Sequence, residues 1–190
     1  ASHFPIVELD ASYYAIQPER NINKWIRETP KRFEFIVKIH QALTLHADYH
    51  EFTETRQELF EQFTAMIEPL QAVGKLAMVL VQFPPWFDCT AKNIAYIRYV
   101  REQLKAFPMC VEFRHQSWFN ETYKEETLRF LTAHQIIHAV CDEPQVGQGS
   151  IPLVNRITNE IAFVRYHGRN TNGWTKKDMT DEAWRDVRYL

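Results

Sequence analysis

A parallel α/β barrel of the TIM (β/α)8 type is predicted by three features of the sequence. Short apolar segments alternate with amphipathic helical ones, the pattern of parallel strand–helix–strand units. Strand starts fall near residues 5, 33, 76, 109, 136 and 161, a mean step of about 31 residues, which is the unit length of a barrel of ~250 residues. The strands also end in charged or polar side chains. An open doubly wound sheet shares the first two features; the third separates the folds.

The strand candidates, in chain order, are 5–10, 33–40, 76–83, 109–114, 136–142 and 161–167, each apolar and mostly β-branched or aromatic. A short helix is expected over 21–28, ending before Pro30, because a helix rarely passes a proline. Segment 41–53 reads as loop. The next helix, 55–73, carries Leu59, Phe63, Met66, Ile67, Leu70 and Val73 at helical spacing. A third, 90–107, places Ile94, Ile97, Val100 and Leu104 on one face, with Thr90 as N-cap. The last, 121–134, carries Leu128 and Leu131. No low-complexity stretch or linker interrupts the pattern, so residues 1–190 are expected to form a single barrel domain.

The strand ends contribute Glu8 and Asp10, Lys38 and His40, Gln82, Glu112 and Arg114, Asp142, and Arg165 and His167. Residues two apart on a strand point to one face, and the alternate positions (Val7 and Leu9, Val37 and Ile39, Val111 and Phe113, Val164 and Tyr166) are apolar. In an open sheet both faces are covered by helices, and this much buried charge would be costly. In a barrel the charged face lines the C-terminal mouth, where active sites of that fold gather. Cys141 is expected on the outward face, as a small hydrophobe.

Composition narrows the function. With 22 basic and 24 acidic residues the formal net charge is −2, which argues against broad nucleic-acid contact. The longest fully apolar run, 76–81, is far below the ~20 residues of a membrane helix. No charged n-region precedes an apolar stretch, so no signal peptide is read and a cytoplasmic location without membrane contact is expected. The three cysteines are far apart, against a CxxC site and consistent with reduced thiols. Gly147 and Gly149 lack the third glycine of a dinucleotide fingerprint, since Pro152 stands there, and no P-loop occurs. A nicotinamide oxidoreductase is thereby set aside, and no cofactor is predicted.

Several segments together resemble the domain of unknown function 72 family, uncharacterised bacterial and archaeal TIM-barrel proteins. They are VELDASYY (7–14), QFPPWF (82–87), VEFRHQSWF (111–119), CDEP (141–144) and RYHGRN (165–170). Two positions depart from the family pattern. Gln116 stands where a proline is usual, which implies a less rigid loop, and Asp10 replaces an asparagine, which makes the site more acidic. The resemblance implies a barrel but no settled reaction. It also implies a further strand before the first and another after the last, so this chain is expected to hold six of eight strands, a barrel fragment with the first and last missing.

The expectation is an enzyme that binds a small anionic substrate, phosphorylated or sugar-like, by acid–base chemistry: a hydrolase, isomerase or lyase. Lys38, Arg114 and Arg165 are assigned to the anion, because arginine presents a fork suited to phosphate or carboxylate. Glu112 and His167 are assigned as the acid–base pair, with Glu8 and Asp142 tuning them. His40, Gln82, His115 and Trp118 complete the substrate-binding set, the tryptophan by stacking; the bland reading of the strand-end aromatics, Trp174 included, is loop packing. Two alternatives stand beside this. One is a metal-dependent phosphodiester or nucleic-acid hydrolase, since His, Glu and Asp side chains gather at the strand ends, though no spacing is diagnostic of a divalent metal. The other is a non-catalytic binding protein whose polar floor is structural.

Overall fold

The structure, a computed structural model, describes residues 3–147, 150–168 and 171. Trp174 and the last two residues of the RYHGRN motif lie outside the described residues. The fold is α/β. Its strands are β1 (Ile6–Leu9), β2 (Glu34–Lys38), β3 (Leu76–Gln82), β4 (Met109–Glu112), β5 (Ile136–Asp142) and β6 (Phe163–Tyr166), in that order in the sheet. The helices are α1 (Ala11–Tyr14), α2 (Glu19–Glu28), α3 (Arg56–Ala72), α4 (Ala91–Gln103) and α5 (Lys124–Ala133). β1 pairs with β2, β2 with β3 and β5 with β6, all parallel.

Every predicted strand is present, and most are one or two residues shorter at their ends. The trimmed polar residues leave the ladder for turns: Asp10 begins α1, and His40 begins a 3-10 turn over Gln41–Thr44. That turn and a second, Tyr49–Glu51, occupy the segment read as loop. No helix among the described residues is long and apolar enough to cross a membrane.

The chain divides into two compact units. One comprises 1–83 and 95–111, the other 84–94 and 112–190. In the first, parallel register places Val37 beside both Leu9 and Val79. Phe35, Val37, Val79 and Val81 are buried with Leu59, Phe63, Ile67 and Leu70 of α3, so the predicted helical stripe is the buried stripe. Val73 is exposed because the helix has already ended there. Thr55 Oγ1 accepts from the Glu58 N–H at 3.1 Å and opens α3. At its other end, Gly74 takes φ +69°, its N–H donates to the Gln71 carbonyl at 2.9 Å, and the Lys75 N–H donates to Leu70 at 2.8 Å. This paired closure needs a left-handed residue, which glycine supplies without steric cost.

Lys75 then closes a second helix. It is buried, and its Nζ donates to the Ile26 and Thr29 carbonyls at 2.9 Å and to Thr29 Oγ1 at 2.7 Å. One ammonium therefore satisfies acceptors at the end of α2 that would otherwise be orphaned.

In the second unit β5 is buried up to Cys141, with Leu128 and Leu131 of α5 also buried. Thr158 Oγ1 accepts from the His138 N–H at 2.9 Å and donates to the Ile136 carbonyl at 2.7 Å, tying the segment before β6 to β5. Register pairs Cys141 with Arg165 and Asp142 with Tyr166. That register decides which side chains share a face.

Replacing Lys75 by Met keeps the buried stem but strands its three acceptors. The expected cost is about 2–3 kcal/mol, read as a lower urea midpoint at unchanged m-value.

Candidate functional site

The second unit gathers a polar cluster at the ends of β4, β5 and β6. Glu112 is the last residue of β4 and fully buried. Its Oε2 accepts from Arg165 Nη1 at 2.6 Å, and its Oε1 lies 2.5 Å from Arg114 Nη2 and 3.7 Å from His167 Nε2. No hydrogen bond is aligned on Oε1. Arg114, two residues beyond Glu112, lies on its face; its Nη1 donates to Glu143 Oε2 at 3.1 Å, and its Nη2 lies 3.1 Å from His167 Nε2. Arg165 and His167 are likewise two apart, and the His167 N–H continues the ladder by donating to the Asp142 carbonyl at 2.8 Å.

Of the predicted site residues, Glu112, Arg114, Arg165 and His167 therefore meet. Asp142 stands differently in the ladder. It pairs with Tyr166, one residue out of step with Arg165, and a one-residue step reverses the face. The same step corrects Cys141. Predicted to face outward, it shares the face of Arg165, and its Sγ lies within 4.8 Å of ligand atoms of Glu112 and His167.

The carboxylate from β5 is instead Glu143, which the residue-by-residue reading passed over. It is buried; Oε2 takes Arg114, and Oε1 accepts from the Ile151 N–H at 2.8 Å. Its signal was present in CDEP (141–144), because proline cannot extend the ladder and Glu143 sits at the turn.

The other expected residues take local roles. Trp118 cannot stack a ligand: it is buried, its ring is stacked 4.2 Å from Phe113 and 5.8 Å from Phe87, and Nε1 donates to the Phe87 carbonyl at 2.7 Å. His115 caps the 3-10 turn Gln116–Phe119, its Nδ1 accepting from the Ser117 N–H at 3.2 Å. Glu8, Lys38, His40 and Gln82 belong to the first unit. There Glu8 is half-buried on β1 and Gln82 half-buried at the end of β3. Lys38 Nζ lies 3.7 Å from the exposed Asp10 and 4.7 Å above the Tyr13 ring. His40 is buried, its Nδ1 accepts from the Ala42 N–H at 3.3 Å, and its ring stands edge-on to Phe52. Burial lowers its pKa, and its ring nitrogen caps the turn that follows.

Electrostatics separate the two acids of the cluster. Burial pushes Glu112 up, but the neighbouring His167 ring and the Arg114 and Arg165 guanidiniums outweigh it and hold the carboxyl at about 2. Burial of Glu143 prevails over the Ile151 N–H and Arg114, and its pKa is raised. The two neighbouring acids are thus shifted in opposite directions, Glu112 down and Glu143 up.

Glu112, Cys141 and His167 could by distance hold a metal ion. Both oxygens of Glu112, however, face guanidiniums, and burial raises the Cys141 thiol. A divalent cation would have to displace two arginines, so the arranged chemistry is ion pairing.

The acids should titrate apart. In a 13C titration of the Glu carboxyls, Glu112 is expected to respond near pH 2 and Glu143 above the ordinary Glu range. With its pKa depressed in the fold, Glu112 stabilises the protein fully above ~4.3, and that stabilisation fades as pH falls towards 2. Titration of Glu112 above pH 4 would contradict the ion-pair assignment.

The chain is similar to known proteins along its whole length. Residues 1–189 match the family described as protein of unknown function DUF72. The UPF0759 protein YunF of Bacillus subtilis (strain 168) is 51% identical over 191 residues, covering 100% of this chain and 67% of that protein. A crystal structure of a DUF72 family protein from Enterococcus faecalis V583 has a TM-score of 0.90 at 32% identity, covering 94% of this chain and 65% of its own. One from Thermotoga maritima MSB8 has a TM-score of 0.78 at 35% identity, covering 95% and 66%. The chain thus spans about two thirds of the length of these relatives. Its segments from VELDASYY to RYHGRN, the cluster they build and these matches place the chain in the DUF72 family.

Proposed function

We propose that the chain carries part of a TIM-type barrel enzyme that binds a small anionic molecule at the C-terminal ends of its strands. The observation that carries this reading is the order of exposure in the cluster. The Glu112 and Glu143 side chains are 0% exposed, whereas Arg114, His167 and Arg165 are 14%, 17% and 18% exposed. The acids lie beneath and the two guanidiniums, with the His167 ring, are the more exposed groups, so an approaching anion meets guanidinium forks first. Held from behind by carboxylates, those forks are preorganised and lose little freedom on binding.

Within this reading Glu112 is the counter-charge that fixes both arginines. Proton transfer falls to His167, beside Arg114, with Glu143 as the second group able to exchange a proton. Hydrolysis, isomerisation or elimination suits these groups. The competing reading is a structural plug, favoured by the match of two carboxylates to two guanidiniums.

Titration of inorganic phosphate into the full-length protein, followed by calorimetry, separates them. Saturable binding is expected, weakened at least tenfold (about 1.4 kcal/mol) by Arg114→Lys and Arg165→Lys, which keep the charge but lose the fork. Lys105→Met, at an exposed position, should leave it unchanged. No binding by a folded wild type, or equal binding by both arginine variants, would establish the plug.

A further inference from the structure

The loops after β4 and β5 enclose a cavity of about 300 Å3 that none of the ion pairs occupies. Its lining includes the carboxamides of Gln116, Asn120 and Gln145, the hydroxyl of Ser150, and the apolar Phe119 and Pro152. Among the described residues, no ionisable side chain lines it. A cavity of this size is at the small end of ligand pockets, and its chemistry differs from that of the neighbouring cluster.

We propose that this cavity is a subsite for a neutral, hydroxyl-bearing sugar ring. Carboxamides present donors and acceptors together, which matches hydroxyl groups that both give and accept hydrogen bonds. An aromatic side chain and a proline add the apolar surface that the C–H face of a sugar covers. A charged ligand would find no counter-charge among the described lining residues, and a purely apolar one would leave the amides unsatisfied.

The subsite is built in advance. Gln145 Nε2 donates to the Glu143 carbonyl at 3.1 Å and the Ile151 carbonyl at 2.8 Å, which leaves its Oε1 as an acceptor. Asn120 Oδ1 accepts from the Tyr123 N–H at 2.8 Å, which leaves its amide protons as donors. Ser150 Oγ accepts from the Val146 N–H at 2.8 Å and closes the loop on itself. Glu143 joins this loop to the cluster, gripping Arg114 with one oxygen and the Ile151 N–H with the other. Gln116 follows Arg114 by two residues and Gln145 follows Glu143 by two, so the same two strand ends supply the charged floor and the uncharged cavity. The inference rests on reading this end of the unit as the ligand-binding end, and it gives the ligand a second part: an anionic substituent for the arginines and a sugar ring for the amides.

Saturation-transfer NMR on the full-length protein with D-glucose, D-mannose and D-ribose tests it, alongside the phosphate titration. Transfer to the ring protons of at least one sugar is expected. Gln116→Leu, at an exposed position, and Asn120→Asp, which keeps the acceptor for Tyr123, should each weaken that sugar at least tenfold while phosphate binding stays as in the wild type. No transfer from any of the three sugars, or undiminished transfer in both variants, would overturn the subsite even if phosphate binds. Sugar transfer that is lost in the variants of a protein with no phosphate binding would uphold the subsite and remove the anion reading alone.

Discussion

A carboxylate with no access to water is costly to ionise, and Glu112 is held ionised by guanidiniums that reach it from two strands. Arg114 arrives from its own strand, two residues on; Arg165 arrives from β6; His167 follows Arg165 on the same face. Each grip depends on backbone register. β5 and β6 must pair with Cys141 opposite Arg165, since a shift of one residue would turn Arg165 away and leave Glu112 with Arg114 as its one guanidinium of the two. The price of a buried charge thus becomes a constraint on how this end of the unit is assembled.

Glu143 extends the same constraint into a loop. By holding Arg114 and the Ile151 N–H together, it fixes the guanidinium and the segment after β5 in one arrangement. The two acids share one arginine yet differ in proton affinity, because Glu112 has two guanidiniums and a histidine while Glu143 has one guanidinium and a backbone amide in a dry setting. Divergent environments thus shift two neighbouring carboxyls in opposite directions. The exposure order runs the same way: the acids are fully buried, and the guanidiniums and the His167 ring are partly exposed.

The first unit shows the rule with a single cation. Buried Lys75 does for the end of α2 what the arginines do for Glu112: it supplies donors where buried acceptors would otherwise lack them. In both units a charged group is admitted to the interior only with its partners fixed by strand or helix geometry.

Alternation of apolar strands and amphipathic helices, a property of local periodicity, was sufficient to determine the α/β class, all six strands and the buried stripe of α3. Strand-end charge at i, i+2 spacing was sufficient to bring out Glu112, Arg114, Arg165 and His167, because pleat alternation is local. It failed for Asp142, Cys141 and Glu143, where the facing residue depends on pairing with another strand. It failed also for Trp118 and His40, whose residue types suit a ligand but whose surroundings do not: one is walled in by Phe87 and Phe113, the other spends its ring nitrogen on a backbone amide. The sequence by itself determined which strands carry charge and where along them. Only the tertiary structure decided which of those charges are buried, which oppose one another and which reach the surface, because burial and pairing are set by residues distant in the chain.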